Sequence, residues 1–208
     1  MKNYRDHYFL KAKLEHYPAR SVYKLQELDR RFRIFKKGMR VLDLGAAPGS
    51  WTLYAAEKTG SQGFVLGADL KSTETAFPPQ VLFLQEDVHK PSPQFAALLR
   101  DRGPFQVVLS DMAPATTGHR VTDQARSSAL CREAFGVARI CLERGGSFVL
   151  KVFMGPDVKK LSDDLRLCFD AVKSFKPAGS RPESMETFYA ALGFRGRGSE
   201  SQITGLFP

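Results

Sequence analysis

The sequence predicts an α/β domain built on a doubly wound, mostly parallel seven-stranded sheet that ends in an antiparallel strand pair. Segments of helical periodicity lie between several of five apolar segments rich in Val, Leu and Phe. Such alternation is typical of a parallel sheet covered by helices. Two further apolar segments follow, with no helix between them. A link that short favours an antiparallel pair.

The elements follow in order along the chain. An amphipathic helix is expected over residues 19–35, because Val22, Leu25, Leu28, Phe32 and Phe35 recur at steps of three and four. The five apolar segments predict strands buried on both faces, at residues 40–45, 63–70, 81–87, 105–112 and 146–153. The remaining elements are helices at 50–59, 93–102, 123–143 and 156–168, and a final strand pair at 169–177 and 187–194.

Three regions are expected in this 208-residue chain. A basic, aromatic arm spans residues 1–18, a single domain spans 19–194, and a tail rich in Gly and Ser spans 195–208. The domain is long enough to bury one sizeable core. The tail has little to bury, and we expect it to be flexible.

Positive charge is concentrated at the start of the chain. The first 40 residues carry twelve Lys or Arg against four Asp or Glu, whereas the other 168 carry nineteen against eighteen. A near-neutral domain with a basic leading segment is typical of a protein that binds a polyanion. The alternative is a solvated, charged helix.

The leading segment has no apolar core of a signal peptide, and no stretch approaches the length of a membrane span. We therefore expect a cytoplasmic protein with no membrane partner. No exposed apolar stripe is evident in the sequence, which favours a monomer. Cys131, Cys141 and Cys168 form no CxxC pair, and the four histidines show no metal-ligand spacing. The sequence thus predicts buried, reduced thiols and no metal site.

The loop after the first strand, "DLGAAPGSW", predicts the kind of cofactor. Ligands of open α/β sheets bind beyond the carboxyl ends of the strands. Gly45 and Gly49 allow a tight turn there, but their spacing is not GxGxxG, and Pro48 has no N–H to offer a pyrophosphate. A cofactor without phosphates fits better, and we expect S-adenosyl-L-methionine.

Acidic residues end the next strands. Asp69 is placed to accept the ribose hydroxyls of an adenosine, and Asp87 to accept its adenine amino group. Each carboxylate alone has a structural alternative, the capping of the following helix. Four of them, with Asp43 and Asp111, favour a site. Trp51 either packs in the core or lines the cofactor pocket.

Lys151 interrupts the apolar strand "SFVLKVFMG". A buried lysine without a partner costs several kcal/mol. Asp111 ends the neighbouring strand, so the two side chains should lie at the same sheet edge, either as a structural ion pair or as a proton acceptor and its partner for a hydroxyl being methylated. Lys24, on the leading helix, is a candidate for a neighbouring cation that favours the neutral amine.

These residues lie in motifs that resemble the FtsJ/RrmJ family of ribosomal RNA 2′-O-methyltransferases over residues 18–193. The resemblance rests on five stretches in the same order: "ARSVYKLQELDRRF", "GMRVLDLGAAPGSW", "SDMAP", "GGSFVLKVF" and "SRPESMETFYAA". It implies a Rossmann-like methyltransferase sheet and S-adenosyl-L-methionine as cofactor. The chain departs from the family pattern at Ser50, where a glycine is usual, and at Ala115, where an asparagine is usual.

The resemblance also implies the site residues. A catalytic tetrad maps onto Lys24, Asp111, Lys151 and Glu186, with Lys151 as the base toward a ribose 2′-hydroxyl and Asp111 as its partner. Reasoning from the residues alone does not find Glu186. The implied cofactor contacts are Gly49, Trp51, Asp69, Asp87 and Asp111.

The implied partner is 23S rRNA within the large ribosomal subunit, methylated at one uridine of its aminoacyl-tRNA-binding loop. Methylation of transfer RNA, a non-catalytic role in ribosome assembly and nucleotide-dependent oxidoreduction are the alternatives, and Pro48 argues against the last. The arm residues Tyr4, Tyr8, Phe9 and Tyr17 either stack on RNA bases or pack onto the domain.

Overall fold

The computed structural model describes residues 2–178 and 184–196. Seven strands form one sheet in the order β3-β2-β1-β4-β5-β7-β6. Strands β1 to β5 are parallel, and β7 runs antiparallel to both β5 and β6. The predicted fold class is confirmed. The strands are β1 (Arg40–Leu44), β2 (Phe64–Asp69), β3 (Val81–Gln85), β4 (Phe105–Ser110), β5 (Leu142–Phe153), β6 (Phe169–Phe175) and β7 (Glu186–Phe194).

Helices cover both faces of this sheet. One apolar layer joins α1, α2 and α3 to one face, and the other joins α4, α5 and α6 to the opposite face. The strand order reverses between β1 and β4, which opens a crevice at the carboxyl ends of those strands. The helices are α1 (Lys2–Leu14), α2 (Val22–Phe32), α3 (Ser50–Thr59), α4 (Pro93–Arg102), α5 (Arg120–Cys141) and α6 (Val158–Cys168).

Several element boundaries differ from the predicted ones. Helix α2 is shorter because Arg33 adopts a left-handed conformation, with φ of 53°, and ends it. Strand β5 begins at Leu142, so α5 stops before the predicted end at residue 143. The expectation of burial on both faces is wrong for β3, which is a half-exposed edge strand with β2 as its only neighbour in the described sheet.

The arm at the start of the chain contains a helix, α1, that the sequence analysis did not predict. The Tyr8 ring lies 5.2 Å from that of Tyr23, and Tyr17 is buried, so both pack onto the domain. Phe9, in contrast, is 59% exposed, and the side chain of Tyr4 lies outside the described residues. The sequence showed no exposed apolar stripe, but α1 presents a cluster of exposed apolar side chains: Phe9, Leu10 and Leu14.

The three cysteines are buried and free, as predicted. Burial raises the pKa of Cys131 and of Cys141 to about 12, so both remain thiols. Among the described helices, none combines the length and apolar content that crossing a bilayer needs. The tail expected to be flexible lies outside the described residues from 197 onward.

Asp43, near the end of β1, is a carboxyl group inside the core. It has no exposed surface, and its Oδ2 accepts a hydrogen bond of 2.7 Å from the Thr52 hydroxyl. Its Oδ1 has no partner among the described residues. Burial, followed by the negative charges of Asp111 and Asp69, raises the Asp43 pKa to about 7, although the Thr52 hydrogen bond opposes the shift.

We predict that Phe148→Ala lowers the free energy of unfolding by about 3–5 kcal/mol, because it leaves a cavity in the core. The Phe148 ring is fully buried and stacks on Phe135 and Phe169, at centroid distances of 6.2 and 6.5 Å. Urea unfolding measures the effect. Leu167→Ala is the control, since Leu167 is 60% exposed on α6. Equal losses for the two variants would contradict this account of the core.

We predict that Asp43 makes the protein less stable as the pH rises. Its ordinary pKa of 3.8 applies in the unfolded chain, and the folded value is about 7. Between these values the folded protein keeps a proton that the unfolded chain has lost. The free energy of unfolding therefore falls as the pH rises from about 4 to about 7, by at most ~1.4 kcal/mol per pH unit.

Asp43→Asn removes this titration and can still accept the Thr52 hydrogen bond through its amide oxygen. The difference in unfolding free energy, variant minus wild type, should therefore increase by roughly 1 kcal/mol per unit between pH 5 and 7. Other titrating groups cancel in this difference. Urea unfolding at several pH values measures it, and a constant difference would show that Asp43 does not titrate in this range.

Candidate active site

Strand register brings Lys151 and Asp111 to one face of the sheet. Leu109 in β4 pairs with Val149 in β5, and both side chains belong to the apolar layer beneath α2 and α3. Alternate residues of a strand share a face, so Lys151 lies on the same face as Val149. Asp111 follows the end of β4 and reaches the same edge. The predicted adjacency of these two side chains is observed.

The Lys151 amine contacts Asp111 twice. Its Nζ lies 2.7 Å from Asp111 Oδ1 and 2.5 Å from the Asp111 backbone oxygen. The side chains are 9% and 19% exposed. Charge-assisted hydrogen bonds in such a setting are stronger than those on the surface. The two contacts compensate the burial of the lysine and hold its amine in one place.

Lys24 and Glu186 form a second ion pair close by. Lys24 Nζ lies 2.6 Å from Glu186 Oε1, and both side chains are mostly buried. Glu186 begins β7, whose Phe188 is the cross-strand partner of Lys151. Cross-strand partners lie on one face, and Glu186, two residues from Phe188, shares that face. The Lys24 amine lies 5.9 Å from the centre of the Phe188 ring.

The structure thus brings the four residues of the predicted tetrad to one sheet edge as two ion pairs near Phe188. Lys24 is paired with Glu186 rather than with a residue of the other pair. Reasoning from the residues missed Glu186 because a glutamate at the start of a strand is usually exposed. Its signal was positional, since an antiparallel strand beside Lys151 returns its first residues to the same edge.

A groove with a volume of about 260 Å³ lies beyond the ends of β1 to β4. The carboxylates of Asp69, Asp87 and Asp111 line it. Its apolar walls come from four different segments of the chain. They are formed by Leu70, Val88, Met112 and Leu130. Carboxylates with apolar walls can accept the polar groups of a nucleoside and enclose its base.

Two carboxylates in the groove retain capacity for a ligand. Asp69 accepts one backbone N–H on each oxygen, from Ala47 at 2.9 Å and from Lys71 at 2.8 Å. Each oxygen keeps a lone pair for a hydroxyl. Asp87 lies two residues beyond β3, and its Oδ1 accepts the backbone N–H of His89 at 2.9 Å. Its Oδ2 has no hydrogen bond within the described part of the chain.

The glycine loop shapes the floor of the groove. Gly45 has a φ of 78°, and a Cβ there would lie 2.9 Å from the backbone nitrogen of Met112. Only glycine allows this approach of the β1 and β4 ends. Gly49 has a φ of 115° and precedes α3, where a Cβ would lie 2.8 Å from Phe77. Gly49 thus shapes the loop without lining the groove.

Trp51 also lies outside the groove lining. It is 3% exposed, its ring centroid is 5.8 Å from that of Phe188, and its Nε1 donates to the Ser21 carbonyl at 2.9 Å. These contacts favour the core alternative for Trp51. Capping does not explain the acidic strand ends either, because the N-cap residues that follow β1, β3 and β4 are Gly49, Ser92 and His119.

Comparison with known proteins bears on this arrangement. The model of the family described as FtsJ-like methyltransferase matches residues 17–194. A protein of Oleidesulfovibrio alaskensis named ribosomal RNA large subunit methyltransferase E is 64% identical over 205 residues, which is 99% of each chain. A protein of that name from Lawsonia intracellularis is 53% identical and covers 94% of this chain and 98% of its own.

Solved structures agree with these matches. A Plasmodium falciparum protein described as a ribosomal RNA methyltransferase superimposes with a TM-score of 0.77 at 26% identity, covering 87% of this chain and all of its own. The family match covers the loop at Gly45 and all four tetrad positions. The resemblance stated from the motifs is confirmed, and the chain belongs to the FtsJ-like methyltransferase family.

Proposed function

We propose that the protein transfers a methyl group from S-adenosyl-L-methionine to the ribose 2′-hydroxyl of a uridine in 23S rRNA. The observation that carries this proposal is the buried contact between Lys151 and Asp111 at the edge of the carboxylate-lined groove. The names of the relatives from Oleidesulfovibrio alaskensis and Lawsonia intracellularis support ribosomal RNA as the substrate class. We further propose that the RNA is methylated within the large ribosomal subunit. We also propose that the protein acts in the cytoplasm and as a monomer.

The groove carboxylates fit the proposed cofactor. Asp69 accepts the two ribose hydroxyls through its remaining lone pairs, and the free Oδ2 of Asp87 accepts the adenine amino group. Val88, Met112 and Leu130 enclose the base. When bound, S-adenosyl-L-methionine supplies an electrophilic methyl group on a sulfonium. In this proposal Gly49 and Trp51 act indirectly, by setting the loop and its packing.

Lys151 is the base in this proposal. The ammonium first loses one proton to solvent, which leaves a neutral amine with two hydrogens and one lone pair. Its two hydrogens are donated to the two Asp111 oxygens at 2.5 and 2.7 Å, which leaves the lone pair directed away from Asp111. The lone pair would accept the proton of the 2′-hydroxyl, which would activate that oxygen toward the methyl group that S-adenosyl-L-methionine would supply. The resulting ammonium remains beside the Asp111 carboxylate, which stabilises its charge.

Lys24 and Glu186 position the ribose in this proposal. Their ion pair lies beside Phe188, the cross-strand partner of Lys151. The pair provides a donor and an acceptor on the side of the site opposite the groove. Alignment of the hydroxyl with the methyl donor supplies much of the rate gain in such a displacement.

We predict that Lys151→Ala and Lys151→Arg each lower kcat by about 10²–10⁴-fold, because neither side chain can accept the proton near pH 7. Cofactor affinity should change little. Radiolabelled methyl transfer to large subunits lacking the modification measures activity, and calorimetric titration measures affinity. Lys173→Ala is the control, an exposed lysine on β6, which β7 separates from the strand of Lys151. Wild-type activity in Lys151→Arg would refute Lys151 as the base. Methylation of a transfer RNA nucleotide instead of 23S rRNA would refute the proposed substrate.

We predict that Asp69→Asn raises the dissociation constant of S-adenosyl-L-methionine by about 10-fold or more, because hydrogen bonds to a charged acceptor contribute roughly 1.5–3 kcal/mol. Asparagine keeps one carbonyl oxygen, which can accept one of the two backbone N–H groups of the loop. Asp101→Asn removes the same charge from an exposed site at the end of α4 and serves as the control. Calorimetric titration measures both variants. Equal affinities would remove Asp69 from the cofactor site.

A further inference from the structure

We propose that a basic ridge away from the catalytic edge binds the phosphate backbone of the RNA substrate. This inference rests on the proposed function, because it assigns a second contact to the same substrate. The ridge is defined by five exposed cations on the end of α2 and the link to β1, namely Arg30, Arg31, Arg33, Lys36 and Lys37.

Charge on the ridge is not neutralised locally. None of its five side chains forms an ion pair within residues 2–178 and 184–196. Asp29 is the only carboxylate between residues 29 and 40. Its Oδ1 accepts the Ile34 and Phe35 N–H groups and its Oδ2 accepts the Tyr54 hydroxyl, so it points into the fold. Nearby Glu57 accepts the Tyr17 hydroxyl, and only its backbone oxygen contacts Lys37.

The opposite face of the sheet shows what a solvated, charged helix of this chain looks like. On α6, Lys159 and Arg166 both pair with Asp163, at 3.7 and 2.9 Å. Five unpaired cations within eight residues repel one another, which costs stability in the free protein. A polyanion that binds there removes this repulsion. The contrast between the two helices favours a binding surface over a merely solvated one.

The ridge continues into a groove at the amino ends of strands β1, β2 and β4. Lys36, Lys37 and Arg40 line this groove, which has a volume of about 500 Å³. Its lining therefore adds a sixth cation, Arg40, the first residue of β1. The groove gives the ridge a concave extension suited to a strand of phosphates.

The ridge is too far from the tetrad to contact the methylated nucleotide. Lys24 is seven residues from Arg31 on the same helix, which is roughly 10 Å along its axis. Strand β1 separates Arg40 from Gly45 by about 16 Å. At about 3.4 Å per stacked step, the ridge meets phosphates roughly three to five steps away. Because α2 carries both Lys24 and the ridge, one RNA can follow this face from one contact to the other.

Neutralising the ridge tests the inference. In the variant Arg30→Gln/Arg31→Gln/Lys36→Gln, we expect at least a ~10-fold weaker affinity for a 23S rRNA fragment near physiological salt. The slope of log affinity against log salt should fall by about 2, since each lost phosphate contact contributes roughly 0.7–0.9. Filter binding measures both quantities without methyl transfer. The KM for large subunits should rise in parallel, while kcat and cofactor affinity stay within about two-fold.

The control variant Lys159→Gln/Lys160→Gln/Arg166→Gln removes the same charge from α6 and should bind the RNA fragment as the wild type does. Equal affinity and salt slope in the two variants would overturn the inference. The inference would also be overturned if the ridge variant kept its RNA affinity but lost binding to phosphatidylglycerol vesicles. The ridge would then be a lipid-binding surface. A wild-type protein that methylates no rRNA refutes the proposed function separately, because the binding assay does not require catalysis.

Discussion

The amine of Lys151 lies 2.7 Å from the carboxylate and 2.5 Å from the backbone oxygen of Asp111, in a residue only 8% exposed. A lone charge at that depth would cost several kcal/mol, so the strand can keep the lysine only because Asp111 meets it. The contact requires β4 and β5 to be parallel neighbours in the observed register, because a slip of one residue would turn Lys151 to the opposite face. The same strand order and register that form the sheet therefore also fix the position of the Lys151–Asp111 contact.

The rest of the site is arranged around that contact. On one side, the ends of the parallel strands form a groove with carboxylates and apolar walls, and Gly45 lets two of those ends approach closely. On the other side, the antiparallel β7 places Glu186 and Phe188 beside Lys151, and α2 adds Lys24. In the proposed reaction, a methyl donor and a sugar hydroxyl approach from the two sides and meet at the lysine. Because the sheet is parallel on one side of β5 and antiparallel on the other, two different surfaces adjoin Lys151.

In the proposed function, charge is divided in the same way between chemistry and RNA binding. The cations of the tetrad are buried and paired, as Lys24 with Glu186 shows, whereas those of the basic ridge are exposed and unpaired. Paired cations in a site of low polarity have fixed positions, which suits the alignment of a reacting hydroxyl. Unpaired surface cations keep their full attraction for phosphates at the expense of salt sensitivity. Helix α2 carries both kinds and connects them.

The sequence by itself determined the fold class, the glycine turn after β1 and the adjacency of Asp111 and Lys151, because strand alternation and strand ends are local patterns. Its motifs also identified the family, and the resemblance predicted Glu186 as a site residue. Only the tertiary structure decided that Lys24 pairs with Glu186, that Trp51 packs in the core and that β3 is a half-exposed edge. These outcomes depend on register and packing between distant segments, and a side chain's partner across a sheet leaves no periodicity in its own segment.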